Sequence, residues 1–293
     1  MSPGMRLGAA VLGVTVAAAL VVVAAQLLRP PPIAADRTSA APSPTGTADP
    51  AAGALQWQLP EQEWPALPAA DPQSPLYEAQ ATALDAVEPA ALVGCPEPGV
   101  VADEAAWRSA VTAQWECLHL AWTPHLVSLG WSTEPPELHF FDGIGTASEC
   151  GYLEAPAFYC STGRGSAHFG SRHLRMAGEW DLSINEMVNH EYGHHLQKLA
   201  GITDVKMGLK SSDEVERRVE LQATCWSGAM TYRNESVGFD AADFASWTAR
   251  LETMLVDGVH GSRDSLRYWG MRGLYAETMG DCNTWVVAAQ AVA

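Results

Sequence analysis

The stretch SINEMVNHEYGHHLQKLAG, Ser183 to Gly201, decides how the chain is read. Ile184, Val188, Tyr192, Leu196 and Leu199 recur at three- and four-residue spacing, which predicts an amphipathic helix. Ser183 and Glu186 form a capping-box pattern at its start, and Gly201 suits its exit. At about 100° per residue, His190 and His194 project one turn apart from the face opposite the apolar stripe. Two imidazoles placed this way form a bidentate metal clamp. With Glu191 between them they spell H-E-x-x-H, in which zinc takes both histidines and the glutamate reaches metal-bound water as general base. His195 lies about 140° from His190, on the core side, and reads as a packed histidine rather than a ligand.

A catalytic zinc keeps three protein ligands and one open position, so a third ligand must come from elsewhere. Gly193 suggests where, because a glycine inside a helix costs about 1 kcal/mol and often marks the close approach of another element. The following segment SSDEVERRVELQATCWSGAM, Ser211 to Met230, is a second predicted helix, with Ser211 and Glu214 as its capping pair. It offers Glu214, Glu216 and Glu220. Capping accounts for Glu214 and a solvated first turn for Glu216, whereas Glu220 sits mid-helix beside the apolar stripe, where an unpaired carboxylate is costly. Glu220 is the preferred ligand, and the competing reading is an ion pair with an arginine.

Upstream, Trp107, Val111, Trp115, Leu118 and Trp122 recur at helical spacing and are expected in a core. ELHFF (Glu137 to Phe141), AFYC (Ala157 to Cys160) and SAHFG (Ser166 to Gly170) read as short strands between glycine-rich turns. Strands followed by a helical half predict an α+β domain rather than alternating βαβ units. That domain is placed at residues 74–293. Residues 30–73, rich in Pro, Ala, Ser and Thr, read as a linker, with Trp57 and Trp64 in a Pro-rich stretch near its end that suits the domain surface. Residues 1–29 contain the uncharged run Leu7 to Leu28 between Arg6 and Arg29, long enough to cross a bilayer. A retained single-pass membrane anchor is preferred over a cleaved signal peptide and a secreted product, and both put the domain outside the cytoplasm. An even set of 6 cysteines agrees with an oxidising compartment. The net charge of −17 repels nucleic acid, which is excluded as a partner.

Four stretches resemble the putative neutral zinc metallopeptidase family of bacterial envelope proteins: CGYLEAPAFYC (Cys150 to Cys160), HEYGHHLQ (His190 to Gln197), RRVELQATCWSG (Arg217 to Gly228), and HGSRDSLRYWGMRGL followed by GDCNTW in the tail. They keep the family's order. The resemblance implies a zincin-like fold, a Zn2+ ion held by His190, His194 and Glu220, Glu191 as catalytic base, and a peptide or protein substrate. It also favours pairing of Cys95 with Cys117, Cys150 with Cys160 and Cys225 with Cys282. His260, which opens a family-like motif, is the candidate donor to the oxyanion, with His168 and His173 as weaker candidates. The family usually carries Asp at the position of Thr224, where it resembles an acceptor for the outer N–H of a zinc histidine. Restoring it with Thr224→Asp is expected to tighten zinc binding about tenfold. The stretch after Cys160 also lacks the acidic residues expected there. Two other readings remain, a membrane-tethered zinc scaffold without catalysis and a zinc amidase acting on cell-wall peptides. The oligomeric state is left open.

Overall fold

The computed structural model describes residues 57–293. The apolar run Leu7 to Leu28 and most of the linker lie outside the described residues, and among those described no helix is long and apolar enough to cross a membrane. The chain runs through a short α1 (Tyr77–Gln80), the long α2 (Glu104–Leu129), β1 (Glu137–Phe141), β2 (Thr146–Ser148), β3 (Gly151–Leu153), β4 (Ala157–Cys160) and β5 (Ser166–Gly170). The short α3 (Leu174–Ala177) leads into α4 (Ser183–Leu199), α5 (Ile202–Gly208), α6 (Asp213–Tyr232), α7 (Ala241–Leu251) and α8 (Arg263–Leu274). The architecture is α+β, with the strands in the first half and helices dominating the second.

The sheet has the order β1-β5-β4. β1 runs parallel to β5 with Glu137 opposite Ser166, and β4 runs antiparallel to β5 with Ala157 opposite Phe169. The three strands have the bounds expected from their alternation. The hairpin of β2 and β3 was not anticipated, since three-residue strands that are exposed or half-exposed carry too few apolar positions to register. Ala167 and Phe169 of β5 are buried, and the Phe169 ring meets Trp115 of α2 at 6.2 Å. All five expected apolar residues of α2 are buried. Asp103 starts this helix by accepting a hydrogen bond from the backbone N–H of Ala106.

α4 packs against α2, α6 and β4, and α6 packs against α8 on its other side. A buried polar chain sets the register of three helices: Gln114 Nε2 of α2 donates to Asn189 Oδ1 of α4 at 3.0 Å, and Asn189 Nδ2 donates to Thr231 Oγ1 of α6 at 2.9 Å. Each buried amide is thereby satisfied by one specific partner, which penalises any slip of α4. The three disulfides are Cys95–Cys117, Cys150–Cys160 and Cys225–Cys282, as the resemblance implied.

The C-terminal end of the linker lies on the domain surface, where its two tryptophans suit it. Residues 57–73 form an extended strap without regular structure on the helical face. The Trp57 ring lies 5.8 Å from Phe244, and Trp64 meets Tyr268 edge-on at 5.4 Å. Tyr275 Oη donates to the carbonyl of Pro60 at 2.8 Å, and Arg272 donates to that of Pro65 at 3.0 Å. Proline-rich composition lowers the chance of helix or strand, but two tryptophans still anchor such a segment by burial.

Candidate metal centre

α4 spans the predicted residues and ends before Gly201, whose φ of +78° is left-handed. Its start differs from expectation. Leu182 is the N-cap, buried and with ψ of 1°, so the extended geometry that lets a preceding serine cap the helix is missing, and the Ser183 hydroxyl is buried without a partner among the described residues. On α6 the cap is Ser212, which accepts from Val215 N at 3.3 Å, one residue later than expected. Glu214 therefore pairs with Arg218 at 2.8 Å instead of capping, and Glu216 pairs with Lys206 at 2.7 Å.

The two helices meet where the glycine sits. A Cβ on Gly193 would lie 3.3 Å from Cα of Ala223 on α6, so this residue lets the helices close to near backbone contact. Glu220, one turn before Ala223, is thereby brought to the histidine face of α4. His190 Nε2 lies 3.2 Å from Glu220 Oε2, His194 Nε2 lies 3.5 Å from the same oxygen, and the two Nε2 atoms are 3.1 Å apart. No arginine pairs with Glu220 among the described residues, so the competing ion-pair reading has no support there. These three residues are also the one group among the described residues whose ligand atoms converge closely enough to hold a metal ion.

The donor set fits zinc. A tetrahedral ion with bonds of about 2.0 to 2.1 Å places its ligand atoms roughly 3.3 Å apart, a value that lies within the range of the separations above. Glu191, next to His190, is buried, and its Oε2 has no hydrogen-bond partner among the described residues. Such an orphaned carboxylate oxygen beside three converging ligands suits a site that holds water. Burial pushes the Glu191 carboxyl above its ordinary range, against the opposing pull of His194 and His190.

One of the two histidines is oriented by a neighbour. His194 Nδ1 contacts Gln197 Oε1 at 2.8 Å, and Gln197 Nε2 donates to Val219 O and Gln222 Oε1, so the amide oxygen must be the acceptor. Nδ1 then carries the proton and Nε2 keeps its lone pair toward the ligand cluster. Burial alone would lower the His194 pKa, but without a metal the Glu220 carboxylate and its hydrogen bond outweigh burial and push it up to about 9, so a bound zinc would have to displace a proton from Nε2. Burial likewise opposes ionisation of Glu220, and His194 and His190 hold it well below the usual carboxylate range. The anionic ligand and its histidine neighbours are electrostatically matched. Gln197 was missed from sequence, although a polar residue three positions after a ligand on a helix is a usable signal.

The other histidines fall elsewhere. His195 is buried on the core side, its Nδ1 2.8 Å from Tyr159 Oη, and burial pushes its pKa down to about 3. His173 accepts a hydrogen bond from Trp107 Nε1 at 3.0 Å inside the core, and His168 is stacked on Phe158 with centroids 4.5 Å apart. Both are packing residues, which removes the observation that would make them donors to substrate. His260 sits on a turn where its Nδ1 contacts Asp257 Oδ1 at 2.9 Å, and no hydrogen bond or ion pair joins it to the three ligands among the described residues. That turn is tied to α6 by Arg217, one turn before Glu220, which donates to Gly258 O at 2.7 Å. Thr224, one turn after Glu220, is buried and borders a small cavity together with His190.

No solved structure matches the chain. Among curated relatives, the uncharacterized protein YpfJ of Escherichia coli strain K12 is 26% identical over 192 residues, covering 56% of this chain and 66% of that protein. The uncharacterized protein Rv2575 of Mycobacterium tuberculosis strain H37Rv is 29% identical over 116 residues, covering 35% of this chain and 39% of that protein. The chain thus spans less than two thirds of each relative's length. The profile of the family described as putative neutral zinc metallopeptidase matches residues 103–285, more than half of the chain, and this stretch contains both helices of the candidate metal centre. By that match the chain belongs to the putative neutral zinc metallopeptidase family.

Proposed function

We propose that the protein is a zinc-dependent peptidase with a zincin-like active site, working on peptide bonds outside the cytoplasm. The observation that carries the reading is the convergence of His190, His194 and Glu220 at separations of 3.1 to 3.5 Å beside the unpartnered Glu191 carboxylate. A zinc ion held by the three ligands would supply a Lewis acid and make water acidic near neutral pH. Glu191 is the group placed to accept the proton of the attacking water, and its raised pKa moves it toward the range where a base can also return that proton to the leaving amine. Gln197 holds His194 in the tautomer that keeps Nε2 free. His260 is the candidate donor to the oxyanion; with its Nδ1 donating to Asp257, Nε2 could donate only from the doubly protonated ring. The envelope location rests on the apolar run Leu7 to Leu28 and on the three disulfides.

The test is zinc content together with cleavage of an unstructured protein substrate. The wild type is expected to carry about one zinc and to cleave. Glu220→Ala should lose the metal while remaining folded, and Glu191→Gln should keep it while turnover falls at least ~100-fold. His260→Ala should lower turnover with little change in KM if it is the oxyanion donor. A zinc-loaded wild type that cleaves nothing would favour the scaffold reading, and unchanged turnover in Glu191→Gln would refute the proposed base.

A further inference from the structure

His194 has a direct partner for its outer nitrogen, and His190 has none among the described residues. With His190 Nε2 turned toward Glu220, the Nδ1 edge of its ring faces away from the ligand cluster. His190 also lines a small cavity between α4, α6 and α7, whose polar lining includes Glu186, Thr224 and Arg250 and whose apolar wall includes Trp247 and Leu251. The space open to the centre of a water is about 10 Å³, enough for a single molecule.

Glu186 lies one turn before His190 on α4, so the two side chains share a face. Glu186 is 7% exposed, and the Arg250 guanidinium approaches both of its carboxylate oxygens at 3.4 Å. Arg250 Nε is buried and without a partner among the described residues. The cavity is therefore bordered by residues that carry an imidazole, a carboxylate, a hydroxyl and a guanidinium, and it has the volume of one water. A water there would meet up to four polar groups, the number that holds buried waters in place. It would accept from His190 Nδ1–H and Arg250 Nε–H, and donate to Glu186 and Thr224.

We propose that Glu186, clamped by Arg250, is the positioning residue for His190, acting through a water seated against Thr224. The proposal rests on the zinc reading above. The anionic carboxylate makes the bridging water a stronger acceptor, which favours the Nδ1–H tautomer and leaves Nε2 as the ligand atom. Thr224 is then a water ligand beside an existing carboxylate, and the expectation for Thr224→Asp reverses: a second carboxylate beside Glu186 displaces the water without tightening the metal.

The experiment compares the full-length wild type with Glu186→Gln, Thr224→Asp and the double variant. Zinc affinity is read by chelator competition, the His190 tautomer by nitrogen-15 shifts of the zinc-loaded protein, and stability by melting of the zinc-free protein. Glu186→Gln is expected to weaken zinc binding about 10- to 100-fold and to shift the His190 resonances. Thr224→Asp alone should bind zinc no more tightly than the wild type, and the double variant should recover affinity to within about threefold of it. Unchanged affinity in Glu186→Gln overturns the proposal. So does a double variant that regains melting temperature but not affinity, because the Glu186–Arg250 pair would then only be bracing α4 against α7. A wild type that binds no zinc overturns the metal reading itself, an outcome distinct from a zinc-binding wild type whose Glu186→Gln variant is unaffected.

Discussion

His173 shows what a buried histidine does when it is not a ligand. Burial, with a smaller contribution from Arg250 and against the pull of Glu186, lowers its pKa to about 4. The unfolded chain takes up this proton near pH 6.5, whereas the fold resists it until about 4, so this stability is complete above the unfolded value and is lost as pH falls through that window. The loss amounts to about 3 kcal/mol by the lower end. Melting of the zinc-free protein between about pH 7 and about pH 4.5 should show it, and His173→Gln should flatten the slope, since an amide oxygen can still accept from Trp107. An identical slope in the variant would assign the acid sensitivity to other groups. At this scale the candidate site was legible in the sequence: His190, Glu191 and His194 follow from a local pattern, and Glu220 from the cost of a carboxylate beside an apolar stripe. Arg250 could not be seen, because it reaches Glu186 across 64 residues and only the packing of α7 on α4 joins them.

Helices α6 and α8 are packed even more closely than the two that carry the ligands. A Cβ on Gly273 would fall 2.0 Å from the carbonyl oxygen of Cys225, and one on Gly228 would fall 3.0 Å from that of Gly270. Backbone cannot yield as a flexible side chain does, so Gly273→Ala must push α8 away from the helix that carries Glu220. A loss of about 3 kcal/mol is expected, the upper part of the usual range for overpacking, despite the gain in helix propensity. Chemical denaturation would measure it, and a variant as stable as the wild type would mean that α8 is free to move. The strands and helix bodies were readable because periodicity is local. Helix starts were read less well, as Ser183 and Ser211 show, because a cap depends on the backbone of one residue, and at Leu182 burial sets that backbone.

For the whole molecule, composition separated the anchor-like N-terminus, the linker and the domain; the two tryptophans pointed the end of the linker to the domain surface, but an average could not show which helices they meet. The three cross-links bear on how the molecule is made. Every cysteine among the described residues is paired, and Cys225–Cys282 joins α6 to the tail across 57 residues. A newly made, reduced chain instead offers six thiols, softer and stronger zinc ligands than two histidines and a carboxylate that have yet to be brought together. Metal arriving too early is therefore a competitor for folding, and maturation should run in one order, oxidation first and loading second. Oxidative refolding with zinc added at the outset should give less native protein than refolding with zinc added after the thiols are consumed. Equal yields would show that the thiols find one another faster than they find the metal.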